Sequence, residues 1–557
     1  MNASIELNEV SIAFQSETGS WREATHQITF SLTTGKTVAM VGESGSGKSI
    51  TALSLLKLLP AKIAKISNGT ITFQDNKQTI DYHTNEQEWL QQRGCGIAMV
   101  FQNALSGLNP TFTIGKQMSD VLKKHHPTKN NKKHIYSLFD EVKLPTPDRI
   151  YKSYAHQLSG GQLQRVMIAM ALACEPTFLI ADEPTTALDP SLQIEVLKLL
   201  KSIQTERDLG MLFITHDLHL IKSFAHEIGV MYGGELVEYG TTESVLNNPT
   251  NDYTKALLKC KPSISFKQNH LPTVEEYLNN NVAPINKAEE RKIRWEDMPV
   301  LEAKNLTKAY TKKNAIGKKE SFLAADNVHL EVFKNESVGI VGESGSGKST
   351  VAQMLCGLTI PTKGRIRLGR DFELKPTNSC RKKWAKSVQL IFQDPYSSLN
   401  PKHRITDQII EVIKVHNTRK GNKEQTKFAR ELLKRVGLDE ELFNRYPFQL
   451  SGGQLQRVNI ARALAVEPEV IICDESVSAL DVSVQAHILN LLKRLKEVYE
   501  LSFVFIAHDM AVVRYFCDRV MVMHNGKVVE EGLVSHVFDN PTHPYTQKLI
   551  EVGKLWV

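Results

Sequence analysis

The octapeptide GESGSGKS occurs twice in this chain, at residues 42–49 and 342–349, and LSGGQLQR occurs twice after it, at 158–165 and 450–457. From the Ser of the second motif to an acidic pair is 23 residues in both copies (Ser159 to Asp182, Ser451 to Asp474). From that Asp to a His is 34 residues in both (His216, His508). Four motifs in one order at matched spacing do not recur by chance, so the chain is a tandem duplication and each copy folds around the same local geometry. Its 557 residues hold three to four domains' worth of sequence at a prior of about 150 per domain.

Each copy opens with strand-like alternation, IELNEVSIAF and VLEAKNLTKAY, and a second strand, TVAMVG or SVGIVG, runs directly into the glycine loop. Helical patterns follow (TALSLLKLL, TVAQMLCGL). Later apolar runs, TFLIADE with MLFITHD and EVIICDE with SFVFIAHD, read as buried parallel strands. This alternation predicts an α/β class with a parallel sheet. The more helical, polar stretch between glycine loop and LSGGQLQR predicts a separate subdomain. The expected organisation is one domain over 1–260, a linker over 261–298 and a second domain over 299–557. The linker reading rests on Pro262, Pro272, Pro284 and Pro299, the Asn279 to Asn281 cluster and the charged run KAEERKIRWED.

Composition excludes several classes. With 41% hydrophobic and 23% charged residues the chain buries large cores and is far from disordered. A net charge of +7 over such a length does not by itself argue for nucleic acid. No apolar run approaches the length of about 18 residues that spans a membrane, and the N-terminal text lacks the pattern of a secretory signal. The seven cysteines (Cys95, Cys174, Cys260, Cys356, Cys380, Cys473, Cys517) never form CxxC, so thiols in a reducing cytosol are expected rather than a disulfide framework or a zinc site.

The chemistry sits in the motifs. GxxxxGK[ST] between strand and helix makes a phosphate cradle, because glycines let backbone N–H groups turn inward and the helix N-terminus adds its positive end. The cradle is expected at Gly42, Ser44, Gly45 and Gly47, and at Gly342, Ser344, Gly345 and Gly347. Lys48 and Lys348 are expected on the β/γ-phosphates, with Ser49 and Ser349 on Mg2+. The strands ending in Asp182-Glu183 and Asp474-Glu475 offer one carboxylate for Mg2+ and one to polarise an attacking water.

With these motifs in hand, LSGGQLQR resembles the signature of ATP-binding cassette (ABC) ATPases, and the likeness covers nearly the whole chain outside the linker. The resemblance implies two tandem P-loop ATPase domains, each with a RecA-like α/β core, an antiparallel β subdomain and a helical signature subdomain. It places Q-loop glutamines at Gln102 and Gln393, further candidates for Mg2+, and switch histidines at His216 and His508. The D-loops fall at Ala187-Leu188-Asp189 and Ala479-Leu480-Asp481, and adenine-stacking aromatics at Phe14 and Tyr310, with Trp21 nearby. It further implies two head-to-tail ATP sites. One combines Lys48, Ser49, Gln102, Asp182, Glu183 and His216 with Ser451, Gly452, Gly453 and Gln454. The other combines Lys348, Ser349, Gln393, Asp474, Glu475 and His508 with Ser159, Gly160, Gly161 and Gln162. Glu183, His216, Glu475 and His508 are the expected catalytic residues, and both sites carry a full set. The halves differ at Pro184/Ser476, Ile50/Thr350 and Asn103/Asp394, read as drift between copies.

The finer text is similar to one branch, the ATPases of peptide/nickel-type importers: SGLNP and SSLNP after the Q-loops, ALDPSLQ and ALDVSVQ, and the domain ends NNPTNDYTKALL and DNPTHPYTQKLI. These segments are family marks without a physical derivation of substrate. The branch implies import of di- or oligopeptides, with glutathione or nickel and metal chelates as alternatives. It also implies two membrane permeases, an extracytoplasmic solute-binding protein and a peripheral place at the cytoplasmic face of the membrane. Many relatives carry a cysteine-rich tail for an iron–sulfur cluster; only Cys260 stands near that position, so no cluster is expected. The basic run KKHHPTKNNKKH (123–134) reads as a solvated loop. Two rivals stand: a tandem ABC ATPase acting on ribosomes or nucleic acid, and a fused sugar-importer ATPase. The short Pro/Asn-punctuated linker and the domain ends weigh against the first, the two complete sites against the second.

Overall fold

The computed structural model describes residues 3–16, 19–75, 78–185, 188–279, 281–288, 298–313, 319–370, 372–478 and 480–554. Contacts divide the chain into two compact units, Met1–Lys259 and Cys260–Val557. Among the described residues no helix is long and apolar enough to cross a membrane.

In the first unit the loop-bearing strand Thr37–Val41 lies parallel between Gly210–Thr215 and Glu227–Tyr232. Phe178–Asp182 and then Ile97–Val100 extend the sheet, also in parallel. These strands are buried on both faces, which is why they read as continuous apolar runs rather than alternation. An antiparallel layer of Ser4–Gln15, Trp21–Thr33 and Ala64–Gln74 joins the same ten-stranded sheet through the bridge Glu235 to His26. The helical subdomain comprises Ile114–His125, Lys132–Glu141, Pro147–Lys152 and the signature helix Gly160–Leu172.

The second unit repeats the plan, with its antiparallel layer (Leu301–Lys313, Lys319–Val332, Lys363–Leu368, Phe372–Glu373) closed off as a separate four-stranded sheet. Its parallel core runs Val388–Ile391, Val470–Asp474, Ser502–Ile506, Ser337–Val341, Arg519–His524, with Lys527–Leu533 antiparallel at the edge.

Residues 260–288 pack as a strap on the second unit. Ile264 and Leu271 are buried in that unit's main core. Lys267 Nζ donates to Cys517 O at 2.7 Å and to Asp518 Oδ1 at 3.0 Å. Asn490 bonds both backbone groups of Leu271, accepting from its N–H at 3.3 Å and donating to its carbonyl at 2.7 Å. Most of the charged run 287–297 and Asn280 lie outside the described residues.

Candidate functional site

Parallel strands deliver their carboxyl ends to one edge of a sheet, and that is where ligand sites of such sheets form. In the first unit Val41 pairs with Thr215 and Asp182 with Ile214. The residues that follow, Gly42, Glu183 and His216, therefore emerge side by side. Gln102 follows Val100 at the end of the next strand. The second unit matches, with Asp474 paired to Ile506 ahead of Glu475 and His508.

The glycine loops fit a phosphate by their backbone. A Cβ on Gly42 would stand 2.2 Å from Met231 O, and one on Gly342 2.2 Å from Met523 O, so only glycine admits this approach of two backbones. Gly47 and Gly347 hold φ of 103° just before the helices Lys48–Leu55 and Lys348–Leu355, a turn that leaves the helix N-termini facing the loops. Lys48 Nζ is held over its loop by Gly42 O at 2.7 Å and Glu43 O at 2.6 Å. Lys348 does the same with Gly342 O at 2.7 Å and Glu343 O at 2.9 Å. Each loop thus has an ammonium and a helix N-terminus beside it, which is chemistry that binds a polyphosphate.

The metal candidates also converge. Ser49 Oγ donates to Asp182 Oδ1 at 3.1 Å, and Ser349 Oγ to Asp474 Oδ1 at 3.1 Å. Burial, with the adjacent Glu adding to it, pushes both Asp carboxyls above their ordinary value. A buried carboxylate next to a second carboxylate and a hydroxyl is a hard-oxygen donor set that a divalent cation would relieve, so the residues fit Mg2+.

Glu183 and Glu475 sit in left-handed backbone, φ 44° and 48°, at the turn out of their strands. A non-glycine residue held there is strained, and such strain concentrates at working sites. Gln102 Nε2 donates to Glu183 Oε2 at 2.9 Å, and Gln393 Nε2 to Glu475 Oε2 at 2.7 Å. His216 Nδ1 lies 3.5 Å from Glu183 Oε2, whereas His508 Nδ1 lies 4.0 Å from Glu475 Oε2. The Q-loop amide, the Glu and the switch His therefore form one cluster in each half.

The signature motifs start helices at the surface. Ser159 and Ser451 cap Gly160–Leu172 and Gly452–Leu464 in reciprocal boxes: each Ser Oγ accepts from the Gln162 or Gln454 N–H, and each Gln Oε1 accepts from the Ser N–H. Because the Ser oxygen is the acceptor in this cap, its hydroxyl proton stays available to donate. Gly161 and Gly453 back onto Leu192 and Val484 of the next long helices. Asp189 of the first D-loop caps Pro190–Glu206 by accepting from Leu192 N at 3.0 Å. Ala187 and Ala479 lie outside the described residues.

Phe14 and Tyr310 both lie on the first strand of their antiparallel layer. Phe14 is half-buried opposite Arg22 and packs against the core cluster. Tyr310 stands opposite Phe322, its ring 5.8 Å from that of Phe322. The strands that face them run past the cradles, since a Cβ on Gly347 would meet Ala324 O at 2.1 Å and one on Gly47 would meet Thr25 Cγ2 at 2.7 Å.

The domain ends, mere family marks in the sequence, have a physical task. Glu43 N donates to the buried Tyr253 hydroxyl at 3.2 Å, and Glu343 N to Tyr545 at 2.8 Å. Glu238 holds the Pro-Thr turn ahead of Tyr253 by accepting from Thr250 N at 2.7 Å. Glu530 does so for Tyr545 through Thr542 N at 2.8 Å. The conserved spacing between the two copies, from Glu to NPT to Tyr, was the available signal for these supports of the phosphate loop.

Comparison with known proteins fits this geometry. The ABC transporter family profile matches residues 25–186 and 325–478. A second profile, the oligopeptide/dipeptide transporter C-terminal region, matches 237–287 and 529–553, the segments that carry Tyr253 and Tyr545. The chain is 39% identical over 98% of its length to the glutathione import ATP-binding protein GsiA of Salmonella choleraesuis (strain SC-B67), covering 89% of that protein. It is 40% identical over 95% of its length to GsiA of Escherichia coli (strain K12), covering 86% of it. Among solved structures, an archaeal ribosome recycling factor, aABCE1, in complex with the ribosomal stalk protein aP1, matches 92% of this chain and 88% of its own. At a TM-score of 0.56 and 20% identity that match shows the fold alone.

Proposed function

The chain belongs to the ABC transporter family, and on that premise we propose that it is the ATP-hydrolysing subunit of an importer for small peptides, glutathione among them. What supports the reading most is that both halves carry the oligopeptide-transporter C-terminal region, its Tyr hydroxyl fixed on a complete ATPase cluster.

ATP is proposed to bind with its phosphates on the loop N–H groups and on Lys48 or Lys348. Glu183 and Glu475 each have one carboxylate oxygen engaged by the Q-loop amide. The carboxylate is proposed to take a proton from the attacking water, with the switch His beside it. Mg2+ would be held by Ser49 and Asp182, and by Ser349 and Asp474, with Gln102 and Gln393 in reach, and when bound supplies neutralisation of phosphate charge. The free hydroxyl protons of Ser159 and Ser451 suit a γ-phosphate, and each signature, with its glycines and Gln, is proposed to complete the site of the other half. Closure then requires ATP, and hydrolysis removes the charge that holds it.

The partners are proposed as two transmembrane permeases and an extracytoplasmic solute-binding protein, with this chain peripheral to the cytoplasmic face of the membrane. Affinity purification from detergent-solubilised membranes, with mass spectrometry of what co-purifies, tests this. Two permeases are expected, and ligands eluted from a co-purifying binding protein name the cargo. Ribosomal proteins without a permease would overturn the importer reading and leave the ATPase standing. A metal chelate eluted in place of a peptide would overturn the cargo alone.

A further inference from the structure

The antiparallel layers of the two units superpose in their logic and invert in their charge. Gly69 and Gly364 make the same close approach to the first strand, against the carbonyls of Asn8 and Glu9 and of Lys304 and Asn305. Trp89 and Trp384 make the same buried bond, Nε1 donating to Leu55 O at 2.9 Å and to Leu355 O at 2.8 Å. These anchors align the copies residue by residue. Asn68, Thr70 and Thr72 on the first unit's strand correspond to Lys363, Arg365 and Arg367 on the second. Glu86, Gln87, Glu88 and Gln91 on one helix correspond to Arg381, Lys382, Lys383 and Lys386 on the other.

Residues 68–92 hold one Lys against four Asp/Glu. Residues 363–387 hold nine Lys/Arg against two, an excess equal to the formal charge of the whole chain, +7. The helix Asn378–Ser387 buries Trp384 against the hairpin and exposes its four cations. Arg367 pairs with Glu373 at 3.2 Å, but among the described residues no carboxylate pairs with Arg365, Arg381, Lys382, Lys383 or Lys386. Concentrating like charge without neutralisation costs stability, and the equivalent helix of the first unit folds without it. Binding offsets that cost only if the partner is anionic.

We propose that this basic face of the second unit, centred on the helix Asn378–Ser387, rests on the anionic phospholipid headgroups of the membrane. The proposal rests on the importer reading, which brings the chain to a bilayer. The helix runs directly into the strand Val388–Ile391 and then Gln393, so the face adjoins the Q-loop. The charged residues of the helix are Lys and Arg alone. Trp384 is buried and Phe372 packs on it, ring centroids 5.6 Å apart, so no aromatic interleaves with the cations to stack bases. Diffuse, multivalent positive charge without base-reading groups matches a charged plane.

The full-length protein is sedimented with vesicles of pure phosphatidylcholine and of phosphatidylcholine with phosphatidylglycerol, at low and high salt. Binding is expected only with phosphatidylglycerol and is expected to fall with salt. The variant R381Q/K382Q/K383Q/K386Q is expected to lose at least about tenfold in partitioning. The variant K123Q/K124Q/K132Q/K133Q, which removes as many cations from the first unit, stays within about twofold of the parent. Should the helix variant fail to fold, R365T/R367T, which installs the first unit's own residues, is expected to weaken binding several-fold. Equal partitioning of parent and variants, equal binding to both vesicles, or displacement from vesicles by duplex DNA at equal charge concentration would overturn the proposal. Loss of the vesicle effect while permeases still co-purify removes this inference alone; a persistent vesicle effect without permeases removes the importer reading alone.

Discussion

At one matched position Lys36 faces Glu227 at 3.4 Å in the first half, while Glu336 faces Arg519 at 3.1 Å in the second. The signs are exchanged, and so is the setting. The first pair stands partly in solvent; the second is buried, side chains 2% and 8% exposed, with Arg519 also held by Glu531 at 3.0 Å. Nearby, Ser337 N donates to Asp518 Oδ2 at 3.0 Å, where the first half has Thr37 N on His226 Nδ1 at 3.0 Å. Asp518 in turn receives Lys496 at 2.7 Å and the strap's Lys267 at 3.0 Å. The motif residues at the sheet edge are the same in the two halves and the scaffolds beneath them are held differently. Chemistry fixes the carboxyl edge of the sheet, whereas the surroundings respond to what each half is attached to.

The largest effects test the part that is the same. Glu183→Gln and Glu475→Gln are each expected to slow turnover at their own site by roughly 10²–10⁴-fold, as removal of a general base does. Single-turnover hydrolysis by each variant checks it. A variant that leaves its site's turnover at the parental rate would mean that the halves divide catalysis unequally, despite matching Gln–Glu contacts.

The scaffold difference predicts an asymmetry in stability. Glu336→Ala takes one of two carboxylates from the buried Arg519, leaving Glu531, and is expected to cost about 1.5–3 kcal/mol, while Glu227→Ala opposite exposed Lys36 costs about 0–1 kcal/mol. Denaturant unfolding of both variants compares them, and equal losses would erase the distinction between the two pairs. Acid sharpens the same contrast. Burial alone would raise the Asp518 carboxyl, but Lys496 and Lys267 hold it down to about 2. A depressed acid contributes stability above its unfolded value and loses it as pH falls toward its folded one. The second half should therefore lose about 2–3 kcal/mol between roughly pH 4 and pH 2 on this account, and Asp518→Asn should flatten that slope. An unchanged acid profile in Asp518→Asn would show that the strap's ion cluster carries no net stability.

How much of this the sequence disclosed follows from where the constraint acts. The cradle and the acidic strand ends are read from sequence because phosphate and metal chemistry fix both residue type and spacing, whereas the switch His is placed by the family likeness. The parallel core is read because strands buried on both faces are unbroken apolar runs. The strap is not, because its anchors Ile264, Lys267 and Leu271 are single residues among polar turns, and only the facing Asn490 and Asp518 give them meaning. Tyr253 and Tyr545 were visible as repeated letters, but their hydroxyls meet the phosphate loop across about two hundred residues of chain, a distance no local pattern spans. The basic face is not legible in the chain's net charge, which does not show where along the sequence its cations cluster.

A smaller effect tests those tyrosines. Tyr253→Phe and Tyr545→Phe keep the buried ring and remove one hydrogen bond to the loop amide, worth about 0.5–1.5 kcal/mol. Nucleotide affinity is expected to fall two- to tenfold by the same measure, with Tyr545→Phe the more affected because its bond is 2.8 Å against 3.2 Å. Titration of a fluorescent ATP analogue against each variant measures it, and unchanged affinity in both would reduce the domain ends to packing.

The smallest expected effect concerns the residue after each Q-loop glutamine, where the halves differ as Asn103 and Asp394. The side chains do one job: Asn103 Oδ1 accepts from Leu105 N at 3.0 Å and Ser106 N at 3.2 Å, and Asp394 Oδ1 accepts from Tyr396 N at 2.9 Å. Asn and Asp are near-equal in such caps, so exchanging them (Asn103→Asp with Asp394→Asn) should move stability by less than about 0.5 kcal/mol. ATPase activity of the isolated chain should not change either, because neither side chain reaches the Glu cluster. The loops nevertheless lie beside the exposed Phe101 and Phe392, which a permease could meet. Exchange of the pair therefore separates two kinds of asymmetry. If transport in reconstituted vesicles falls while isolated ATPase activity holds, the charge difference distinguishes one permease from the other; if both hold, the Asn/Asp difference is drift, and the specialisation of the halves lies in the strap and the basic face instead.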